Sequence, residues 1–313
     1  MVNHVVSFPI REKQLLLLIN AHAGKEEIRN QLLDVIDQFI KAGWTVTVHT
    51  TQKRLEIPAL LAQYSDKFPL VVCCGGDGTL NETITGIMQC SHRPLLGYLP
   101  TGTVNDFASS LGLKKQIPQA VQTVIHGVPF PCDIGKFGSR YFSYIAAFGA
   151  FTNVAYETPQ QSKNLLGRAA YFLEAIRRLP SIKSYSMQIS YDGGEIEGDF
   201  LFGMVTNSRS VGGFPFYEGQ NISMNDGLLE VLLISNPQTP GQAQQIISEL
   251  LSRQTNSRFL ISFRTSSLSF HSSESVPWTL DGEFGGNCQE AEIQNLPRAI
   301  SIVVDPPSSK TVK

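Results

Sequence analysis

The chain has 313 residues, enough for two domains at roughly 100–200 residues each. It is 42% hydrophobic and 17% charged, which supports a real core, and a net charge of −2 excludes bulk nucleic-acid binding through a basic surface. Its five cysteines, Cys73, Cys74, Cys90, Cys132 and Cys288, are odd in number and form no C-x-x-C pair, which argues against a disulfide framework or zinc site and for a reducing, cytoplasmic compartment.

No apolar run approaches the ~18–20 residues that span a bilayer. "QLLLLIN" (14–20) is shorter than a signal-peptide core of ~7–15 apolar residues and reads as a first strand buried on both faces. The turn "AHAGK" follows. Residues 26–42 then set Ile28, Leu32, Leu33, Val35, Ile36, Phe39 and Ile40 at near-helical spacing, stopped by Gly43. "WTVTVHTT" alternates as a strand, "IPALLAQYS" reads as a helix, "PLVVCC" as a buried strand, "LNETITGIMQ" as a helix and "PLLGYLP" as another strand. This alternation predicts a parallel sheet wrapped by helices.

The pattern changes near Asp133. Short alternating segments run from "CDIGKFGSRYFSYIAAFGAF" to "PWTLDGEF", with one helix expected at about 164–179. Short strands with Gly and Asn-Asp-Gly turns predict an antiparallel, sandwich-like arrangement. The expected division is an α/β domain over 1–132, a β-rich domain over 133–295, and a C-terminal strand and tail over 296–313. That strand, "RAISIVVDPP", is a candidate to return to the first domain.

The chemistry concentrates in three loops. "VVCCGGDGTLNET" (71–83) carries a buried strand into a glycine turn and then a helix. Backbone N–H groups at such a junction sit at the positive end of the helix dipole and suit phosphate oxygens, while Gly75, Gly76 and Gly78 permit close approach. Asp77 would repel a phosphate, so it is read as holding Mg²⁺ or orienting a nucleotide group. The spacing is neither a Walker A motif nor G-x-G-x-x-G. "LINAHAGK" (18–25) and "LPTGTVNDFASSLGL" (99–113) are two further strand-to-turn junctions. Ligands bind at the carboxyl ends of strands in an open parallel sheet, so the three loops should converge.

"GGDGTLNE", "PTGTVNDFA" and the late "LDGEFGG" together resemble the diacylglycerol kinase and sphingosine kinase catalytic family, in particular its soluble bacterial lipid kinases. "CDIGK", "YETPQQSKNLLGRAAYF" and "NDGLLEV" extend the resemblance over nearly the whole chain. GGDGT alone is shared with NAD kinases and 6-phosphofructokinases; the combination is far more specific. One departure stands out, since the family's Asn-Pro-x-Ser/Ala-Gly reads here as Asn20, Ala21, His22, Ala23, Gly24.

The resemblance implies an α/β nucleotide domain followed by a β-rich lipid domain, and transfer of the ATP γ-phosphoryl group to a lipid hydroxyl. Diacylglycerol is the leading acceptor; phosphatidylglycerol or a sphingoid base is the runner-up, ahead of an NAD kinase or a non-catalytic lipid-binding protein. By position, Asn20 to Gly24, Thr51, Gly75 to Glu82 (with Thr79, Leu80 and Asn81), Thr103, Asn105 and Asp106 would form the ATP site. Either Asp281 or Glu283 of the D-G-E motif would supply the general base, with Asp77 acting on the nucleotide–metal complex. Ser223, Asp226 and Leu228 would bind a structural Mg²⁺ beside the Mg²⁺ that enters with ATP, and Asp133 matches a further family aspartate. The six histidines show no pair at ligand spacing. A two-chain lipid substrate implies peripheral contact with the inner face of the cell membrane, for which Lys25, Arg29, Lys163 and Arg168 are the candidate basic contacts. A homodimer is the assembly considered.

Overall fold

The computed structural model describes residues 13–23, 28–149, 183–208, 222–252 and 257–306. The helix expected at about 164–179, together with Gly24, Lys25, Lys163 and Arg168, lies outside these residues. The chain forms two compact units, residues 1–132 with 298–313, and residues 133–297.

The first unit is built on β1 (Gln14–Ile19), α1 (Ile28–Lys41), β2 (Thr45–Thr50), α2 (Glu56–Tyr64), β3 (Leu70–Gly75), α3 (Asp77–Gln89), β4 (Leu95–Pro100), α4 (Asp106–Ser110) and α5 (Ile117–His126). Leu15 to Ile19 and Leu70 to Cys74 are buried without alternation, as strands covered on both faces must be. α1 turns Ile28, Val35 and Phe39 inward, and Gly43, at φ 85°, lets the chain leave the helix so that Trp44 N–H bonds the Phe39 carbonyl. Leu33 and Ile40, which share its apolar spacing, face outward instead.

The strands run parallel in the order β4-β3-β1-β2. The chain therefore steps from β1 to β2 on one side and reaches β3 on the other. This reversal is a topological switch point, which opens a crevice at the carboxyl ends of β1 and β3. The end of the last strand joins the same sheet, pairing Ile302 with Leu96 in parallel, while Arg93 Nη1 bonds the Ala299 carbonyl at 2.6 Å.

Among the described residues the second unit is antiparallel apart from one helix. Its described elements are the second half of β5 (Val128–Phe137), β6 (Arg140–Phe142), β7 (Ile145–Gly149), β8 (Tyr185–Tyr191), β9 (Gly194–Thr206), β10 (Leu229–Ser235), α6 (Pro240–Leu251), β11 (Leu260–Thr265), β12 (Ser267–Leu280) and β13 (Glu283–Val304) as far as Pro297. The order is β11-β10-β9-β7-β12-β13, with β8 paired to β12 and β9. Trp278 anchors its core, with the rings of Phe148 and Phe270 each 5.0 Å away and that of Phe137 at 5.1 Å. The α6 helix was not expected from the strand-like reading of this region. Thr239 caps it, accepting the Gln242 N–H, Pro240 opens it, and Ala243 and Ile246 bury its inner face.

Candidate active site

At the switch point, Asn20 N–H bonds the Cys74 carbonyl at 2.9 Å and Asn20 Nδ2 donates to Thr79 Oγ1 at 3.0 Å. Its Oδ1 accepts the His22 N–H at 3.1 Å and its carbonyl accepts Ala23 N–H. One asparagine thus shapes the loop after β1 and ties it to the first turn of α3. Thr51 N–H continues the β1–β2 ladder onto the Ile19 carbonyl at 2.9 Å.

The loops after β3 and β4 touch backbone to backbone. A Cβ on Gly102 would lie 2.5 Å from Gly76 Cα, so only glycine allows this approach. Thr101 N–H bonds the Gly75 carbonyl at 2.9 Å. Asn105, at φ 55°, braces the turn from within: its Nδ2 donates to the Gly102 carbonyl at 2.8 Å, and its Oδ1 accepts Gly102 N–H at 3.1 Å. The Tyr98 hydroxyl lies 3.3 Å from both Asn105 Oδ1 and the Gly75 carbonyl.

The α3 helix opens with Gly76 as its N-cap, which has no side chain to cap the first turn. Backbone amides so placed are suited to an anion. Asp77 and Glu82 are half-buried in this first part of α3, Asn81 lies between them, and Gly78 is exposed. Leu80 points into the core and its N–H bonds the Gly76 carbonyl, so its contribution to the expected nucleotide set is structural. Asn105 and Asp106 are likewise buried, whereas Thr103 and His22 are exposed. Burial pushes the Cys73 and Cys74 thiols beneath the loop up to about 12.

In the second unit, Asp281 and Gly282 form the two-residue turn joining β12 to β13, at φ 49° and 82°. Two positive φ values match the hairpin turn that Asp-Gly favours. The two carboxylates of the D-G-E motif therefore part company. Glu283 is exposed at the start of β13, while Asp281 is buried. Asp281 Oδ2 accepts Ser143 N–H at 2.6 Å and Ser143 Oγ–H at 2.8 Å, and its Oδ1 accepts the N–H groups of Tyr144 and Ile145, both at 3.0 Å. Burial pushes the carboxyl above its ordinary range against the pull of these donors.

The Ser223–Leu228 loop hangs on Asp133, whose Oδ2 accepts Gly227 N–H at 2.7 Å and Asn295 Nδ2 at 3.3 Å. The three residues expected to hold a structural metal are each engaged. Ser223 Oγ–H donates to Asn225 Oδ1 at 2.6 Å, the Leu228 carbonyl accepts Asn295 Nδ2 at 3.0 Å, and Asp226 accepts Leu228 N–H and pairs with Arg264. Arg264 Nε also meets Glu230 Oε1 at 3.1 Å; burial pushes that carboxyl up to about 7. Among the described residues no group of three or more His, Cys, Asp or Glu is placed to hold a metal ion. Two neutral oxygens and one carboxylate already paired with Arg264 are a poor donor set for a structural cation.

Residues 14–137 match the diacylglycerol kinase catalytic domain, and residues 147–304 match the YegS C-terminal NAD kinase beta sandwich-like domain. The chain is 32% identical to a diacylglycerol kinase of Bacillus subtilis strain 168, over 93% of its own length and 96% of that protein. It is 31% identical to a diacylglycerol kinase of Staphylococcus aureus strain MRSA252, over 93% of the chain and 92% of the relative. The chain belongs to the diacylglycerol kinase family. It is a lipid kinase, a phosphotransferase that binds a nucleotide and a lipid.

A crystal structure of a provisionally assigned diacylglycerol kinase from Bacillus anthracis strain Sterne superimposes on this kinase with a TM-score of 0.81, covering 94% of this chain and 97% of that one. At 24% identity it shows the shared fold. Sequence reasoning missed several residues that shape this kinase's loops: Tyr98, Gly102, Ser143 and Arg264. Tyr98 had a usable signal, a hydroxyl-bearing ring in an otherwise apolar strand, whose polar tip needs a partner when buried. Ser143 had none, because its partner lies far along the chain at Asp281.

Proposed function

We propose that this kinase transfers the γ-phosphoryl group of ATP to the hydroxyl of diacylglycerol, giving phosphatidic acid. The observation that carries the reading is the convergence of the loops after β1, β3 and β4, closed by the Gly76–Gly102 contact and the Asn20–Thr79 bond. Phosphoryl transfer asks the protein mainly for alignment, charge neutralisation and a proton acceptor. The first-turn amides of α3 and the Asn20–Ala23 loop are assigned to the phosphates. Asp77 and Glu82 offer oxygen ligands suited to the Mg²⁺ that accompanies ATP, which would offset phosphate charge. The acceptor proton is assigned to the D-G-E turn, and the matched variants Asp281→Asn and Glu283→Gln decide which carboxylate takes it. Diacylglycerol as acceptor draws on the relatives of that name at 31–32% identity.

The same transfer to another lipid alcohol, phosphatidylglycerol or a sphingoid base, is the second reading. It draws on the second unit's match to a domain family described without a lipid substrate. Among the described residues no helix is long and apolar enough to cross a membrane. We place the kinase in the cytoplasm, docking peripherally at the inner face of the membrane, with Arg29 exposed on α1 as one contact; a homodimer belongs to the same proposal. Radiolabelled ATP incubated with a panel of lipid micelles tests the acceptor. Label in diacylglycerol alone supports the first reading, label in another lipid the second, and label in neither sinks both.

A further inference from the structure

The loop Ser223–Leu228 ends one residue before β10, and β10 pairs with β11 in a register that sets Glu230 directly opposite Arg264. Directly opposed side chains on one face of a sheet interact by geometry rather than by chance of rotamer. The guanidinium uses both sides of its fork. Nε donates to Glu230 Oε1 at 3.1 Å, and Nη2 donates to Asp226 Oδ2. The Glu230 side chain is only 1% exposed, so its charge has little water to fall back on. Any cation that took Asp226 would have to share it with this guanidinium or displace it, and displacement would strip the buried Glu230 of its counter-charge. A planar fork bridging two carboxylates is a role arginine fills and a hydrated lysine does not.

We infer that Arg264 is the resident cation of the Asp226 loop, and that this loop closes in the kinase without a divalent metal. The remaining anchors are protein groups as well. Asp133 holds Gly227, and Asn295 holds the Leu228 carbonyl. The inference does not depend on which lipid is phosphorylated.

The test is thermal melting of the full chain without nucleotide, in EDTA and in millimolar Mg²⁺. The wild type is expected to melt within about 1 °C in the two buffers, since a ligand that binds the native state would raise the midpoint by mass action. Arg264→Gln is expected to lower the midpoint in EDTA by roughly 5 °C or more, the scale of breaking one partner out of a buried pair. Millimolar Mg²⁺ should raise it again, because Asp226 is then left without its guanidinium partner. A clear Mg²⁺-dependent rise in the wild type that Asp226→Asn abolishes would overturn the inference. So would an Arg264→Gln protein that melts like the wild type in EDTA. The first comparison needs no Arg264 variant, so it decides the matter even if that variant fails to fold.

Discussion

Asp281 holds Ser143 twice, through its backbone N–H at 2.6 Å and its hydroxyl at 2.8 Å, although the two residues lie 138 positions apart. The same carboxylate also takes the next two N–H groups. A residue proposed for proton transfer is thus also the clamp on the start of β7.

Asp281→Asn should therefore cost more than turnover. An amide turns an NH₂ toward N–H donors, and removing the charged acceptor from a buried network is worth ~3 kcal/mol or more. Ser143→Ala, which removes one of the four bonds, should cost about 1 kcal/mol. Urea unfolding of both variants checks the order. An Asp281→Asn protein as stable as the wild type but inactive would show that the carboxylate serves only as a base.

Asp77→Asn should behave in the opposite way. The side chain sits half-buried at the mouth of the glycine turn rather than in the core. Turnover with ATP should fall by at least ~100-fold, the scale of losing one electrostatic stabiliser, while the melting temperature moves little. Near-normal turnover would contradict the assignment of this loop to the nucleotide.

Gly102→Ala tests the convergence of the loops directly. The new methyl would fall 2.5 Å from Gly76 Cα and 2.7 Å from Asn105 Oδ1, and the nearer atom is backbone that cannot swing aside. Displacing the loops by even a fraction of an ångström should lower kcat/KM for ATP by about 10- to 100-fold. Unchanged steady-state kinetics would mean that the contact is incidental.

The hairpin cap at Asp192 predicts a pH effect in the second unit. Its carboxylate accepts Ser266 N–H at 2.8 Å and Ser266 Oγ–H at 2.7 Å, bonds that hold it at about 2 rather than the ordinary 3.8. A carboxyl held low in the folded state stabilises above its ordinary value, and that contribution is lost as pH falls toward the folded value. The difference in stability between the wild type and Asp192→Asn should be full above about pH 4 and shrink toward pH 2. A gap that stays constant over that range would show that Asp192 acts through something other than its charge.

The first unit was legible because its strands are continuous apolar runs, each closed by a small-residue turn. Residues 70–75 could be little else than a buried strand. The site was legible in its parts but not in its wiring. The motif glycines marked where a ligand approaches, yet nothing local showed that Gly76 would face Gly102, or that Asn20 and Asn105 would use their amides to shape loops. The second unit was harder to read. The α6 helix, with Ala243, Ile246, Ile247 and Leu250 turned to the core, lay hidden among short alternating segments, although Thr239-Pro240 was a usable start signal. The metal expectation came from the family resemblance, since the Asn-Asp-Gly loop by itself reads as a turn; the charge that answers Asp226 comes from a strand 38 residues later.

The return of the last strand to the first sheet sets a timetable for biosynthesis. A ribosome delivers β1 to β4 early, but the partner of Leu96, Ile302, emerges only after all of residues 133–297. Until then the outer edge of β4 presents unpaired backbone beside the apolar side chains of Leu96 and Tyr98, the kind of edge that recruits a neighbouring chain. A nascent chain stalled before residue 298 thus carries an unsealed sheet edge, and for that interval the first unit lacks the strand that completes it.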